Sequence, residues 1–363
     1  MNHQPFSGSY APNDVQFLLK VIDVPALSVT EKERRIQQET AHYSELISRE
    51  ARPSAMYTQL YQSALAQNGR RMAADVMALA YHLNTVRGEG SPIVLVSLAR
   101  AGTPVGVLLK RTLEQCFGRN VFHYSVSIIR DRGLDRNAMN YILARHRDTE
   151  VAFIDGWTGK GVITKELAKS IGELNAEHRL QVDPSLFVLS DLAGVAGYAP
   201  SFEDYLIPSS VLNSTVSGLV SRTILNKDYI GATDFHGCLF YQEFSEIDVS
   251  QSFVETIFQQ ILGLSDEVNV ASAEGRQYAN GVNRAFIAEM LKRTGLANAN
   301  FIKPGVGEST RVLLRRVPDC LYVQDPAAGE THHLVALAEE KSVPIVVDKA
   351  MPYKATAIIK IMD

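Results

Sequence analysis

The chain has only three cysteines in 363 residues, Cys116, Cys238 and Cys320. They are too few and too widely spaced for a disulfide framework or a zinc motif, and a reducing compartment is the simplest reading. No apolar run approaches the roughly 20 residues that span a bilayer. The opening residues, MNHQPFSGSYAPND, lack a basic segment followed by an apolar core, so the sequence reads as cytoplasmic, with no membrane partner. An excess of positive charge is also missing: the net charge of -4 argues against chain-wide attraction to nucleic acid and leaves room only for a local patch. There is one tryptophan, Trp157, and no internal repeat or low-complexity tract. What remains is a globular composition, 46% apolar and 21% charged, long enough to bury two unequal cores.

The chain is organised around Val151 to Thr164, VAFIDGWTGKGVIT. A short apolar run stops at Asp155, a glycine-rich turn follows, and a helical pattern takes over, which reads as strand, loop, helix. At the carboxyl end of a parallel strand such a loop exposes backbone N–H groups beside a helix N-terminus, where a phosphate can bind. Read from the loop alone, Asp155 could equally cap the helix while the glycines merely turn the chain.

The residues before and after supply context. The first ninety residues read as mostly helical, with Met72, Val76, Leu79 and Leu83 on one face. From Pro92, strands alternate with helices: IVLVSL, the turn Ala99–Arg100–Ala101–Gly102, and a helix burying Val105, Leu108, Leu109, Thr112, Leu113 and Cys116. A strand at Val121 to Ile129 leads into a polar segment carrying Arg130, Arg132, Arg136, Arg145 and Arg147, long enough to close over an anion or to be a solvated loop. LFVLS and Asp191 follow the central helix. Repeated βα units imply a doubly wound parallel sheet, with ligands beyond the carboxyl strand ends. Gly197 to Phe244, including LNSTVSGLVSRTIL and DFHGCLFY, matches no spacing from which chemistry follows. Residues 1–270 read as one α/β domain, 271–295 as a connecting helical segment, and 296–363 as a compact α/β unit.

The combination PNDVQFLL, SLARAGTP, IDGWTGKG, GLVSRTI and DFHG resembles a bacterial family of predicted phosphoribosyltransferases fused to a pelota-type RNA-binding domain. That family is linked to tellurite-resistance and stress gene clusters and also carries the label StiP cysteine protease. The resemblance implies a phosphoribosyltransferase-type sheet and a magnesium-dependent transfer from phosphoribosyl pyrophosphate to an unknown acceptor base. Magnesium would be carried by the pyrophosphate, with Asp155 a candidate contact and no protein ligand assigned. Asp155, Arg100, Arg130 and Arg132 would be the catalytic set; Ala99, Ala101, Gly102, Gly156, Trp157, Thr158, Gly159, Lys160 and Gly161 would hold the substrate. The family's loop has two adjacent acids, whereas Gly156 follows Asp155 here; Asp191 is a candidate replacement. That departure favours an alternative, a non-catalytic RNA-binding regulator that senses phosphoribosyl pyrophosphate or a nucleotide.

The C-terminal unit resembles pelota domains, implying structured RNA as a partner and Lys303, Gly305, Gly307, Glu308, Arg311 and Arg315 as its contacts. Residues 296–363 hold eight cationic and eight acidic side chains, so only a patch could bind, and a structural cap or a homodimer contact competes with the RNA reading. A cysteine peptidase is the third reading. It needs a thiolate beside a histidine base; His236 stands two residues from Cys238, sharing a face in an extended segment without a hydrogen bond being implied. His332–His333 and the other thiols form no set.

Overall fold

The computed structural model describes residues 4–38, 40–88, 90–264 and 273–361. The boundary expected near residue 270 lies outside them.

The N-terminal unit is built on a five-stranded, wholly parallel sheet: β1 (Gln16–Leu18), β2 (Ile93–Leu98), β3 (Val121–Val126), β4 (Val151–Ile154) and β5 (Leu186–Phe187), in the spatial order β1-β3-β2-β4-β5. Every residue of β2 and β4 is buried, as expected of parallel strands covered on both faces. Helix α1 (Ala55–Val86) lays Met72, Val76, Leu79 and Leu83 into that core, and α2 (Thr103–Phe117), α3 (Val162–His178) and α4 (Ser250–Leu262) complete the layers. The α/β class with a parallel sheet and helices is therefore as read from the sequence.

The first ninety residues differ from the helical reading. Gln16–Leu18 forms the edge strand β1, in register with Tyr124, Ser125 and Val126. Phe17 and Leu18 are fully buried, and a three-residue strand is too short to show a period. Residues 136–143 also differ from a polar loop. Asp135 caps a helix, Arg136–Leu143, through the Ala138 amide at 3.1 Å, and Ala138, Met139 and Ile142 bury its apolar side. Cys116, expected on the buried face of α2, is exposed; the buried stripe ends at Leu113.

The C-terminal unit has a four-stranded sheet of β6 (Ile302–Pro304), β7 (Pro318–Val323), β8 (Ile345–Val347) and β9 (Ala355–Ile359), in the order β6-β9-β7-β8, with β7 and β8 parallel and the other pairs antiparallel. Helix α5 (Ala273–Thr294) precedes it, α6 (Val306–Arg315) joins β6 to β7, and α7 (Gly329–Glu340) joins β7 to β8. Val306, Val312 and Leu313 of α6 belong to the same apolar cluster as Tyr205, Ile207 and Val211, so the two units share one core.

Candidate functional site

The carboxyl edge of the parallel sheet brings the two glycine turns together. A Cβ on Gly102 would lie 2.5 Å from the Ile154 carbonyl oxygen, and one on Gly156 would lie 3.8 Å from that of Ala101. Glycine is required at 102 by that approach of backbone to backbone. This part of the sequence expectation, loops converging at one edge, describes the structure well.

The side chains do something else. Arg100 forms a half-buried ion pair with Glu50 and also donates to Asn213 Oδ1 at 2.8 Å and to the Val220 carbonyl at 3.0 Å. Its guanidinium ties the turn to the 213–220 segment and is not directed at a ligand. Thr158 donates to Asp191 and accepts from the Ala193 amide, while Asp191 Oδ2 accepts from the Ala196 amide. Both are buried and satisfied within the fold, so Asp191 is not free to replace a missing acid. Arg130 pairs with Asp131 and lies over the Tyr43 ring, and Arg132 reaches Glu45.

The glycine-rich loop faces the C-terminal unit. The Trp157 indole donates to Glu308 Oε1 at 3.3 Å, and the Arg311 guanidinium stacks 4.3 Å from the centre of the Trp157 ring. Lys160 donates to the Ala299 carbonyl, and the Gly159 carbonyl accepts from Asn283 at 3.0 Å. Gly161, with φ of 75°, opens α3 in the left-handed region. Gly305 (φ 94°) sits so that a Cβ would press 2.6 Å from Leu192, Gly307 faces Trp157, and Arg315 donates to the carbonyls of Ser210 and Leu212. The residues expected to hold a substrate and most of those expected to hold RNA are thus docked on one another. Lys303 lies between them, half-buried.

Burial sets the electrostatics. It pushes the Asp155 carboxyl up to about 6 against the hydrogen bond from the Gly156 amide, and it pushes the Lys160 ammonium down to about 7, helped by Lys303. Glu308 stays below the usual carboxylate range despite burial, because Arg311, Lys303 and Lys160 surround it. Among the described residues no cluster of three His, Cys, Asp or Glu side chains could hold a metal. Asp155, the loop's one acid, accepts at Oδ1 from the Gly156 amide at 2.8 Å.

The three thiols differ. Cys238 lies in a two-residue strand, Gly237–Cys238, paired with Lys20–Val21, and is fully buried; burial raises its pKa beyond the normal thiol range. His236 Nδ1 is 2.8 Å from Ser127 Oγ, its backbone amide donates to Asp135 Oδ2 at 2.6 Å, and burial keeps its imidazole neutral to lower pH than usual. Cys320 is half-buried and pushed up to about 11 by burial and Asp319. The Ser127–His236–Asp135 arrangement is not legible in the sequence, since His236 lies 109 residues from Ser127 and 101 from Asp135.

Residues 8–258 match the family described as tellurite-like stress resistance cysteine protease StiP, and residues 282–361 match the PELOTA RNA binding domain. The chain belongs to the StiP family. A relative from Acinetobacter baylyi (strain ATCC 33305 / BD413 / ADP1), named cysteine protease StiP, is 40% identical over 368 residues, covering 98% of this chain and 95% of that protein. These names overturn the phosphoribosyltransferase expectation and the nucleotide-sensing alternative beside it. The docked loop and the engaged Arg100, Thr158 and Asp191 are in keeping with that correction. A solved structure titled as an HPRT asparagine mutant aligns at a TM-score of 0.27 with 15% identity, covering 49% of this StiP-family chain and 93% of the other. A likeness that weak leaves a phosphoribosyltransferase type of sheet unshown. Among the described residues no helix is long and apolar enough to cross a membrane.

Proposed function

We propose that this StiP-family chain is a stress-response cysteine peptidase held latent in the conformation described, with Cys238 as its nucleophile and His236 as the base. The observation that carries this is their placement: among the three thiols, Cys238 alone has a histidine two residues away in the chain, directly before its own strand. Burial favours the neutral form of that histidine, and its Nδ1 lies 2.8 Å from Ser127 Oγ. Residues two apart in a strand stand about 6.6 Å apart along it, so the thiol and imidazole meet only when the segment shifts. In the shifted form His236 takes the Sγ proton, Sγ attacks the peptide carbonyl, and the amine leaves with the proton from His236; water then hydrolyses the thioester.

The strand that must move is tied on both sides, by the Lys20 and Ile22 amides to the His236 and Cys238 carbonyls and by a reciprocal pair of hydrogen bonds between Gly237 and Ile224, so these bonds must break for it to shift. Lys20 bridges it through Asp234 at 2.7 Å and the Tyr229 carbonyl at 2.8 Å, and residues 227, 228 and 231–233 beside it are exposed. Casein and self-cleavage assays with single Cys→Ser variants test the proposal. Loss of cleavage in Cys238→Ser and its retention in Cys116→Ser and Cys320→Ser is expected. Cleavage that survives Cys238→Ser overturns the assignment.

A further inference from the structure

We infer that the pocket between the hairpin of residues 128–134 and α3 is a binding site for a free α-amino acid with an apolar side chain. The hairpin pairs Ile128 with Leu134 and Ile129 with Gly133, and its two ends hold His236, so a ligand in the pocket bears on that ring. The inference goes beyond the peptidase reading, and its test does not depend on it.

The pocket offers about 120 Å³. A cavity of roughly 150 Å³ takes benzene, so this one has room for a single aliphatic side chain of about four carbons. Leu134, Met139, Ile171 and Leu174 supply its apolar lining, and each is itself buried in the fold. The two walls are fastened to one another. Glu166 Oε2 accepts from the Asp131 amide at 2.8 Å, and Ser170 Oγ accepts from the Leu134 amide at 3.1 Å. A Cβ on Gly133 (φ 88°) would lie 2.9 Å from Ser170 Oγ, so the hairpin rests directly on the helix.

The charges around the pocket select the ligand. Asp131 pairs with Arg130 at 3.0 Å, Arg132 with Glu45 at 3.4 Å, and Arg136 with Glu177. That leaves Glu166, Lys169 and Glu173, which line the pocket from α3 at a spacing that puts them on one helix face. Lys169 and Glu173 are exposed to an arriving ligand. An α-amino acid carries both signs on one carbon: its carboxylate pairs with Lys169, its ammonium with the glutamates, and its side chain fills the apolar space. A residue inside a peptide has neither charge and would leave all three unmatched.

The hairpin connects this site to His236. Ser127, directly before it, places Oγ 2.8 Å from His236 Nδ1. Asp135, directly after it, accepts from the His236 amide at 2.6 Å and donates its own amide to the Ser127 carbonyl at 2.9 Å. Asn137 adds hydrogen bonds to the carbonyls of Ala232 at 3.0 Å and Asp234 at 2.7 Å. A ligand wedged between hairpin and helix therefore acts on both anchors of the imidazole and on the segment leading into it.

Calorimetric titration of the full chain with L-leucine tests the site. Glycine lacks the side chain, leucinamide the carboxylate and N-acetyl-leucine the ammonium, and each should bind at least tenfold more weakly than leucine. Lys169→Gln and Glu173→Gln, each first shown to keep the wild-type far-UV spectrum, should weaken leucine binding at least tenfold. Lys165→Gln, exposed on the same helix but outside the pocket lining, should bind as wild type. Saturating leucine should also shift the His236 ring signal in a proton NMR spectrum, that signal being identified by its loss in His236→Gln. No binding at millimolar leucine, glycine binding as tightly as leucine, or unchanged affinity in both pocket variants overturns the inference. A His236 signal that stays in place with leucine bound overturns the connection to that ring.

Discussion

The indole Nε1 of Trp157 donates to Glu308 Oε1 at 3.3 Å, joining the glycine-rich loop to the first turn of α6, 151 residues further along the chain and in the other unit. Arg311 covers the indole face and reaches the same carboxylate oxygen at 3.4 Å. Glu308→Gln would keep an acceptor for the indole while removing the charge that Arg311, Lys303 and Lys160 share. The repulsion among those cations would then be uncompensated. The expected outcome is a stability loss of about 1–3 kcal/mol, read as a lower midpoint in urea, with the Trp157 emission transition ahead of the far-UV transition. Coincident transitions at the wild-type midpoint would contradict it.

Arg100 gives a sharp contrast between a substrate contact and a structural one. A residue waiting for an anionic substrate would tolerate truncation without loss of stability. Arg100 instead neutralises Glu50, which also accepts from the Ser214 amide at 3.0 Å. Removing one partner of a half-buried pair leaves the other charge stranded, typically at about 3–5 kcal/mol. Arg100→Ala should therefore lower the thermal midpoint strongly, and the double variant Arg100→Met/Glu50→Gln should recover part of the loss. A differential-scanning measurement showing Arg100→Ala at the wild-type midpoint would refute this.

These two cases mark where the sequence is legible and where it is not. The alternation of apolar runs and helical faces from Pro92 onward identifies a parallel sheet, because strands covered on both sides are continuously apolar, as IVLVSL and VAFI are. The meeting of the turns at Gly102 and Gly156 follows from that topology. The partner of a charged side chain does not: Arg100–Glu50 and Trp157–Glu308 span 50 and 151 residues, and no local period encodes such pairs. The same holds for β1, whose burial depends on β3 and not on its own three residues. Cys116 departs from its expected burial because α2 leaves the core after Leu113, one turn before its apolar stripe runs out in the sequence.

Two glycines on comparable elements should respond oppositely to alanine. At Gly102 a Cβ would meet the Ile154 carbonyl oxygen at 2.5 Å and the Leu98 backbone nitrogen at 3.0 Å, and backbone on both sides cannot yield. Gly102→Ala should cost about 1–3 kcal/mol. At Gly172, inside α3, an added Cβ would meet nothing within 4 Å, and Gly172→Ala should stabilise by up to about 1 kcal/mol through helix propensity. Chemical denaturation of both variants checks the pair; a stabilised Gly102→Ala would disprove the close approach of the two turns.

The buried titratable groups of the glycine-rich loop predict opposite pH slopes on the acid and alkaline sides. The Asp155 carboxyl is held up at about 6 by burial, so between roughly pH 4 and 6 the native state keeps a proton that the unfolded chain releases. Stability then falls as pH rises through that window, by at most about 1.4 kcal/mol per pH unit from this group. Asp75 and Asp204, also raised to about 6 by burial, add to the same slope. Lys160, held down at about 7 by burial and then by Lys303, acts in the other direction: between about pH 7 and 10 the unfolded chain holds a proton that the native state has released, so this group makes stability rise with pH. Asp155→Asn should flatten the acid-side fall and leave the alkaline-side slope intact, and Lys160→Met should do the reverse. Urea midpoints at unit pH steps from 4 to 10 measure both, and an acid-side slope unchanged in Asp155→Asn would show that its carboxyl titrates normally.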